Sequence, residues 1–227
     1  MNKKSREQEA KKRELLYSYW QDLPMIMKVE HSYEEVLSHE VRGLILQYIR
    51  KGKEEKTDSI KQFRHAFSAK ELLDMANEKM AEKMKLQSMY FHLQKLQEYN
   101  LLYTVTTLQE GRHHVAYFGR TARGFLFESA KDKNKYDHYF TEAEKIARAI
   151  NPEMTKSKFD GLLKEFKAIS QKSEKEIIQW LEDHKEIINE NNIDSATLFS
   201  FLKLVSSHNK KMAKLMHEVA QLLNFKL

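Results

Sequence analysis

Apolar side chains recur every three or four positions along most of this chain, and the period changes clearly in one region. Residues 5–20 begin charged and end in "LLYSYW", a helix with an aromatic end that Leu23 and Pro24 break. In "SYEEVLSHEVRGLILQYIR", Val36, Leu37, Val41, Leu44, Ile45, Tyr48 and Ile49 fall at helical spacing. Gly52 follows, and "KGKEEKTDSIKQFRHA" reads as a polar, mobile connection. A second helix opens at "SAKELLDMANEKM", where Ser68 and Glu71 form an S-x-x-E capping box ahead of Leu72 and Leu73. A third, at about residues 85–99, contains "SMYFHLQKLQEYNLLY". Then the period drops to that of strands. "LLYTVTTLQ" and "HVAYFGRT" are β-branched and aromatic, and "EGRH" between them supplies a hairpin turn at Gly111.

The last third returns to helices. "KFDGLLKEFKAIS" follows Pro152 at its first turn, and "SEKEIIQWLEDHKEIIN" starts at Ser173 with Glu176 as another capping box. "SATLFSFLKLVSSHNKKMAKLMHEVAQLLNF" places Leu198, Leu202, Val205, Met212, Leu215, Met216, Val219 and Leu222 on one side of a long helix. Six Gly and two Pro in 227 residues suit such a mainly α chain. There is no cysteine, which excludes disulfides and thiolate zinc sites. No apolar run approaches the roughly 20 residues of a bilayer span, and the charged N-terminus leads to no apolar signal core, so a cytoplasmic protein is the expectation.

Three helices followed by a hairpin with a basic tip is the element order of a winged helix-turn-helix. The segments "HEVRGLILQYI", "ELLDMA", "SMYFHLQKLQEYNLL" and "YTVTTLQEGRHHVAYFGRTARG" resemble the DNA-binding domain of ArsR-type transcriptional regulators. The resemblance rests on Arg42 with Ile45 and Leu46, on His92, Leu93, Leu96, Asn100 and Leu101, and on Thr121 and Gly124. It covers about residues 36–125. The chain departs from the family in a longer connection between the first two helices and in "MAEKMKL" before the third. Asn100 also stands where the family has Gly, and Asn is the next best residue for a left-handed helix end. The expected organisation is a basic N-terminal helix and linker (1–35), the winged helix-turn-helix (36–125, three helices plus a two-stranded wing), a connecting helix (126–150) and a C-terminal helical bundle for dimerisation or effector response (151–227).

On the third helix, Met89, Leu93, Leu96 and Asn100 form a stripe that faces the domain interior. Gln87, Ser88, Gln94 and Lys95 point elsewhere and carry the groups that pair with base edges and phosphates in a major groove. Tyr90 and Phe91 either join that contact, anchor a protein or turn into the core. His92 reads as a structural, hydrogen-bonded core histidine. At the wing tip, Arg112 and His113 (with His114) suit a minor groove or phosphate, and Arg120 and Arg123 are read as phosphate contacts or ion pairs.

The net charge is +6, with a net of +3 in residues 1–14 and +5 in residues 39–124, where fifteen basic side chains face ten acidic ones. That placement is where a polyanion partner is sought. The ten histidines are scattered, and neighbours such as His113 and His114 on a strand point to opposite faces, so no metal site is read. No nucleotide-binding or hydrolase motif occurs, and neither an enzyme nor a cofactor is expected. The expected function is a homodimeric, sequence-specific regulator of transcription on double-stranded DNA, more a repressor than an activator, paired through its N- and C-terminal helices. A small-molecule or protein effector of its C-terminal region is an open partner, and a membrane is not. The alternative is a winged-helix module in which Tyr90 and Phe91 dock a protein and DNA is not bound.

Overall fold

The computed structural model describes residues 3–57, 60–127 and 135–226, and it is mainly helical with three small sheets among those residues. The chain divides into two units, Met1–Phe127 and Glu128–Leu227. The first runs α1 (Lys3–Asp22), β1 (Ile26–Val29), α2 (Tyr33–Val36), α3 (Glu40–Lys51), β2 (Lys53–Thr57), β3 (Ile60–Arg64), β4 (Phe67–Ser68), α4 (Ala69–Lys79), α5 (Leu86–Glu98), β5 (Leu102–Glu110), β6 (His113–Arg120) and β7 (Gly124–Phe127). The second holds α6 (Lys135–Ile150), α7 (Lys156–Asp183), α8 (Lys185–Glu190), α9 (Ser195–Ser206) and α10 (Lys210–Leu222).

The core of the first unit is the set of apolar stripes the periodicity defines. Val41, Ile45 and Ile49 of α3, Leu72 and Ala76 of α4, and Met89, Leu93 and Leu96 of α5 pack together with Phe67 and Phe118. The capping box at Ser68 and Glu71 forms in both directions and starts α4 directly from the two-residue strand β4. β4 pairs antiparallel with β6, and β6 with β5, giving a sheet in the order β4-β6-β5. β1 and β7 pair in parallel, Ile26 opposite Gly124.

The segment 32–50 is two helices rather than one. Ser32 caps α2, and the Arg42 guanidinium then donates to the Val36 carbonyl at 2.9 Å and to Ser38 Oγ at 3.2 Å. The first of these bonds occupies a carbonyl that a continuous helix would use itself. α3 starts afresh, with His39 Nδ1 accepting from the Val41 amide. The stretch read as a mobile connection is the hairpin β2–β3, with Lys53 opposite Arg64. Its pattern escapes a periodicity reading because it is held by charge: Arg64 Nε donates to Glu55 Oε1 at 3.0 Å, and the Tyr17 hydroxyl of α1 donates to Glu55 Oε2 at 2.7 Å.

α1 lies along β5 in the opposite direction, with Glu9 accepting from the Gln109 amide near one end and Tyr19 edge-on to Tyr103 at the other. Leu16, Tyr19 and Leu23 are buried with Leu108 and Ala66. The Tyr19 hydroxyl donates to the His65 carbonyl at 2.6 Å, which is reached only because residue 119 is glycine. A Cβ there would stand 2.5 Å from Val105 Cγ2 and 2.6 Å from the Tyr19 ring. Trp20 stacks on His65 with ring centroids 4.1 Å apart, and His65 Nδ1 donates to the Ile49 carbonyl.

In the second unit, Phe140 and Ala147 of α6 pack with Phe159, Leu162 and Leu215. Of the helix expected to connect two domains over 126–150, residues 135–150 form α6 and pack into the second unit's core, and 128–134 lie outside the described residues. α7 is continuous over 28 residues, so Ser173 and Glu176 lie in its interior and cap nothing, and it begins at Lys156, beyond Pro152. The long helix read over 195–225 is broken instead. α9 ends at Ser206, and Asn209 Oδ1 accepts the Met212 amide at 2.8 Å to begin α10.

In this packing Gly119→Ala loses on the order of 1–3 kcal/mol in urea unfolding, since neither Val105 nor the pinned Tyr19 has room to give; an unchanged midpoint would show that Tyr19 is not seated there. Burial, with Arg123 and Arg120 nearby, pushes His65 down to about 4, although its bond to the Ile49 carbonyl opposes the shift. Between pH 6.5 and 4 the unfolded chain therefore binds a proton that the folded one refuses, and stability falls as the pH is lowered through that window. His65→Phe keeps a ring on Trp20, and its stability declines less steeply there, by up to about 1.4 kcal/mol per pH unit. Parallel pH profiles for the two proteins would refute the burial of a neutral His65.

Candidate nucleic-acid interface

α4 and α5 are joined by residues 80–85, and a side chain of α4 holds that turn. Asn77 Oδ1 accepts the Met84 amide at 2.8 Å while its Nδ2 donates to the Met84 carbonyl at 3.2 Å. The longer "MAEKMKL" turn is thus clamped, and α5 starts after Lys85 with no side-chain cap. The Tyr48 hydroxyl donates to the Met75 carbonyl, tying α3 to α4. At the other end Asn100 adopts φ 57°, and the Leu101 amide returns to the Leu96 carbonyl at 2.9 Å. Thr121 Oγ1 donates to the Asn100 carbonyl at 2.7 Å, fixing the end of α5 to the end of β6.

Held this way, α5 buries Met89, His92, Leu93 and Leu96 and exposes Gln87, Ser88, Tyr90, Phe91 and Gln94. Tyr90 and Phe91 are 51% and 52% exposed, so neither turns into the core. With Leu86, itself 40% exposed, they set three apolar side chains among the polar ones on the exposed side of the helix. Lys95 is half-buried and bound to Glu98 at 2.5 Å, so the exposed face of α5 carries no net charge.

His92 is buried as expected, but not hydrogen-bonded as expected. Its ring lies 4.3 Å from that of His39, and among the described residues its Nδ1 has no partner. Burial, with His39 and Arg42 adding, pushes it down to about 4, which keeps it neutral.

The hairpin β5–β6 turns on Gly111, at φ 62°, and Arg112, leaving Arg112, His113 and His114 exposed. The tip is braced by the Tyr117 hydroxyl, which donates to Glu110 Oε1, and by Glu9 of α1 on the Gln109 amide.

Arg120 and Arg123 are not at this surface, and their reading as phosphate contacts is corrected. Arg120 is 5% exposed; it donates to the carbonyls of Ala122 and Leu46 and lies over the Phe125 ring at 4.4 Å. Burial, with Arg50 nearby, pushes it down to about 9. Arg123 is 6% exposed, donates to the Trp20 carbonyl at 2.7 Å and lies over the Trp20 ring. With Arg42 and Arg64 also buried, four of the fifteen basic residues of 39–124 are interior among the described residues, and the excess read from composition is not all displayed.

No protein-family model and no curated protein matches the chain. The site therefore stands on its geometry. The structure adds two cations that the reading of α5 passed over, Lys83 and Lys85, both exposed in the turn that leads into it. Their signal is position, immediately ahead of the first turn, rather than helical phase. Among the described residues no three His, Asp or Glu side chains converge as metal ligands do, and no helix is long and apolar enough to cross a membrane.

The two faces of α5 differ in what substitution costs. Tyr90→Ala and Phe91→Ala each change the unfolding free energy by about 0.5 kcal/mol or less. Leu93→Ala loses about 2–5 kcal/mol. Urea unfolding of the three variants checks this, and a loss above about 2 kcal/mol at Phe91 would return that ring to the core.

Proposed function

We propose that residues 36–125 form a winged helix-turn-helix of the ArsR type. On this reading the chain is a homodimeric, sequence-specific regulator that binds double-stranded DNA and represses transcription. α5 enters the major groove, and the hairpin tip at 109–114 rests on minor groove or phosphate. The observation that carries this reading is the arrangement of α5: one stripe locked into α3 and α4, the other presenting Gln87, Ser88 and Gln94 beside exposed Lys83 and Lys85. Supporting it, a short strand precedes α4, the hairpin follows α5, and the sheet order is β4-β6-β5. Glutamine amides suit adenine edges, serine suits either base type, and lysines ahead of the helix suit phosphates. Because Lys95 is bound to Glu98, the phosphate charge falls to Lys83, Lys85 and Arg112.

A second reading has one observation in its favour. Leu86, Tyr90 and Phe91 are exposed on a face without net charge, and exposed aromatic side chains on such a face suit a protein-docking surface. There the same domain binds a protein and not DNA.

Fluorescence anisotropy with genomic duplex fragments, followed over a salt series, separates the two. Under the first reading the protein retains a subset of fragments. The triple variant Lys83→Ala, Lys85→Ala, Arg112→Ala then lowers the slope of log affinity against log salt by up to about 0.9 for each phosphate no longer neutralised. Gln94→Ala keeps the slope and loses about 1–3 kcal/mol of preference between fragments. Retention of no fragment above background at about 100 mM salt selects the docking module.

A further inference from the structure

The composition of α9 and its burial disagree. Its sequence, SATLFSFLKLVS, carries apolar side chains around the whole axis, the pattern of a helix enclosed on every side. One side is enclosed. Ser195 and Phe199 are buried, and α9 lies along α7, where Lys203 Nζ meets Glu174 Oε1 at 2.7 Å. Away from it, Phe201, Leu204 and Val205 stand 58%, 61% and 53% exposed. Their spacing of i, i+3 and i+4 makes them one stripe. Toward the start of the helix Ile193 and Ile187 are also exposed, by 44% and 57%. Single exposed leucines are ordinary in a protein surface, but a continuous stripe of this kind marks an interface.

The charges at the two ends of α9 identify what covers it. Residues 184–194, which lead into the helix, carry Glu186, Glu190 and Asp194 against Lys185, a net of −2. Residues 207–217, which follow it, carry Lys210, Lys211 and Lys214 and no acidic residue, a net of +3. Glu186, Glu190, Lys210, Lys211 and Lys214 are exposed. Phe201 lies near the middle of this span in sequence. A segment that is acidic before an exposed apolar helix and basic after it is complementary to a second copy of itself after a half-turn. Antiparallel pairing of two such helices sets each acidic end against a basic end, whereas parallel pairing sets like against like.

We propose that this face is a homodimer interface, in which α9 packs antiparallel on α9 of a second copy of the chain. Phe201, Leu204 and Val205 form its centre. Glu186 and Glu190 face the basic end, Lys210 and Lys211, of the second copy. This specifies the dimer of the proposed regulator, but it rests on the second unit alone and is tested without DNA, so failure of either reading is seen separately.

Sedimentation equilibrium of the full chain over about 1–100 μM measures it directly. The wild type is expected to be dimeric, and Leu204→Glu to dissociate at least about 100-fold more readily, because it places a carboxylate at the dry centre of the interface. Thermal unfolding followed by circular dichroism confirms that the variant is folded; should it not be, Val205→Gln, at another exposed position, takes its place with the same expectation. Reversing the basic end with Lys210→Glu and Lys211→Glu weakens the dimer about tenfold. Adding Glu186→Lys and Glu190→Lys restores it, because the ends then match again with signs exchanged. A wild type that is monomeric at about 100 μM, or a folded Leu204→Glu protein that dimerises like the wild type, overturns the interface. Failure of the four-residue exchange to restore what the two-residue reversal lost overturns the antiparallel register.

Discussion

The guanidinium of Arg64 joins four elements of the first unit. It donates to Glu55 of β2, to Glu71 of α4 and to the Ala66 carbonyl, and it lies over the rings of Phe67 and Tyr117. Through Glu55 it reaches Tyr17 of α1, and through Glu71 it reaches the capping box that starts α4. Burial alone would lower the pKa of this cation, but Glu71 and Glu55 raise it on balance. Burial would likewise raise both carboxyls, and the Arg64 hydrogen bonds bring them below their ordinary values. Such a network adds little net stability over apolar packing, yet losing one member strands a buried charge at a cost of about 3–5 kcal/mol. What it supplies is position: α1, the hairpin β2–β3 and the start of α4 are set relative to one another by one planar group.

The other interior arginines serve in the same way. Arg42, Arg120 and Arg123 each donate to main-chain carbonyls, of Val36, of Ala122 and Leu46, and of Trp20. They tie the ends of α1 and α2, the irregular segment at Ala122 and the body of α3 to the rest of the unit. A sequence count registers them as positive charge available to a polyanion, whereas the fold uses them as five-donor connectors. The electrostatic surface of the first unit is correspondingly modest: Lys95 of α5 is paired with Glu98, and exposed cations sit in the turn before α5 and at the hairpin tip.

This explains which parts were legible before the structure. α3, α4, α5 and the hairpin β5–β6 follow from local pattern, because each buries a stripe or alternates faces, and Ser68, Glu71 and Asn100 do what their chemistry implies. The hairpin β2–β3 was not legible because "KEEKT" has no apolar alternation and depends on Tyr17, far away in sequence, and on Arg64 across the hairpin. Ser173 and Glu176 fit a capping pattern, but α7 runs through them unbroken and the motif stays unused. Asn209, the residue that does start a helix there, lies inside a periodic apolar stripe that hides the break. On α5 the inward positions Met89, Leu93 and Leu96 were readable by phase, but Asn100, read on the same stripe, is exposed, because the chain leaves the helix there at φ 57°. The directions of Tyr90 and Phe91 were not readable, since aromatic residues beside a buried stripe satisfy either side equally.

The neutrality of the exposed face of α5 and the self-complementarity of α9 bear on the same requirement. On the regulator reading, one protomer offers few phosphate-binding cations, so a single domain gains little of the counterion release that drives affinity for DNA. Two domains held by one dimer convert the second binding event into an intramolecular one, and the gain does not depend on adding charge to either. Sequence preference then grows as well, because two copies of Gln87, Ser88 and Gln94 read two half-sites where one copy reads one. A domain that commits its arginines to its interior is thereby compatible with selective binding, provided that the second unit supplies the pairing.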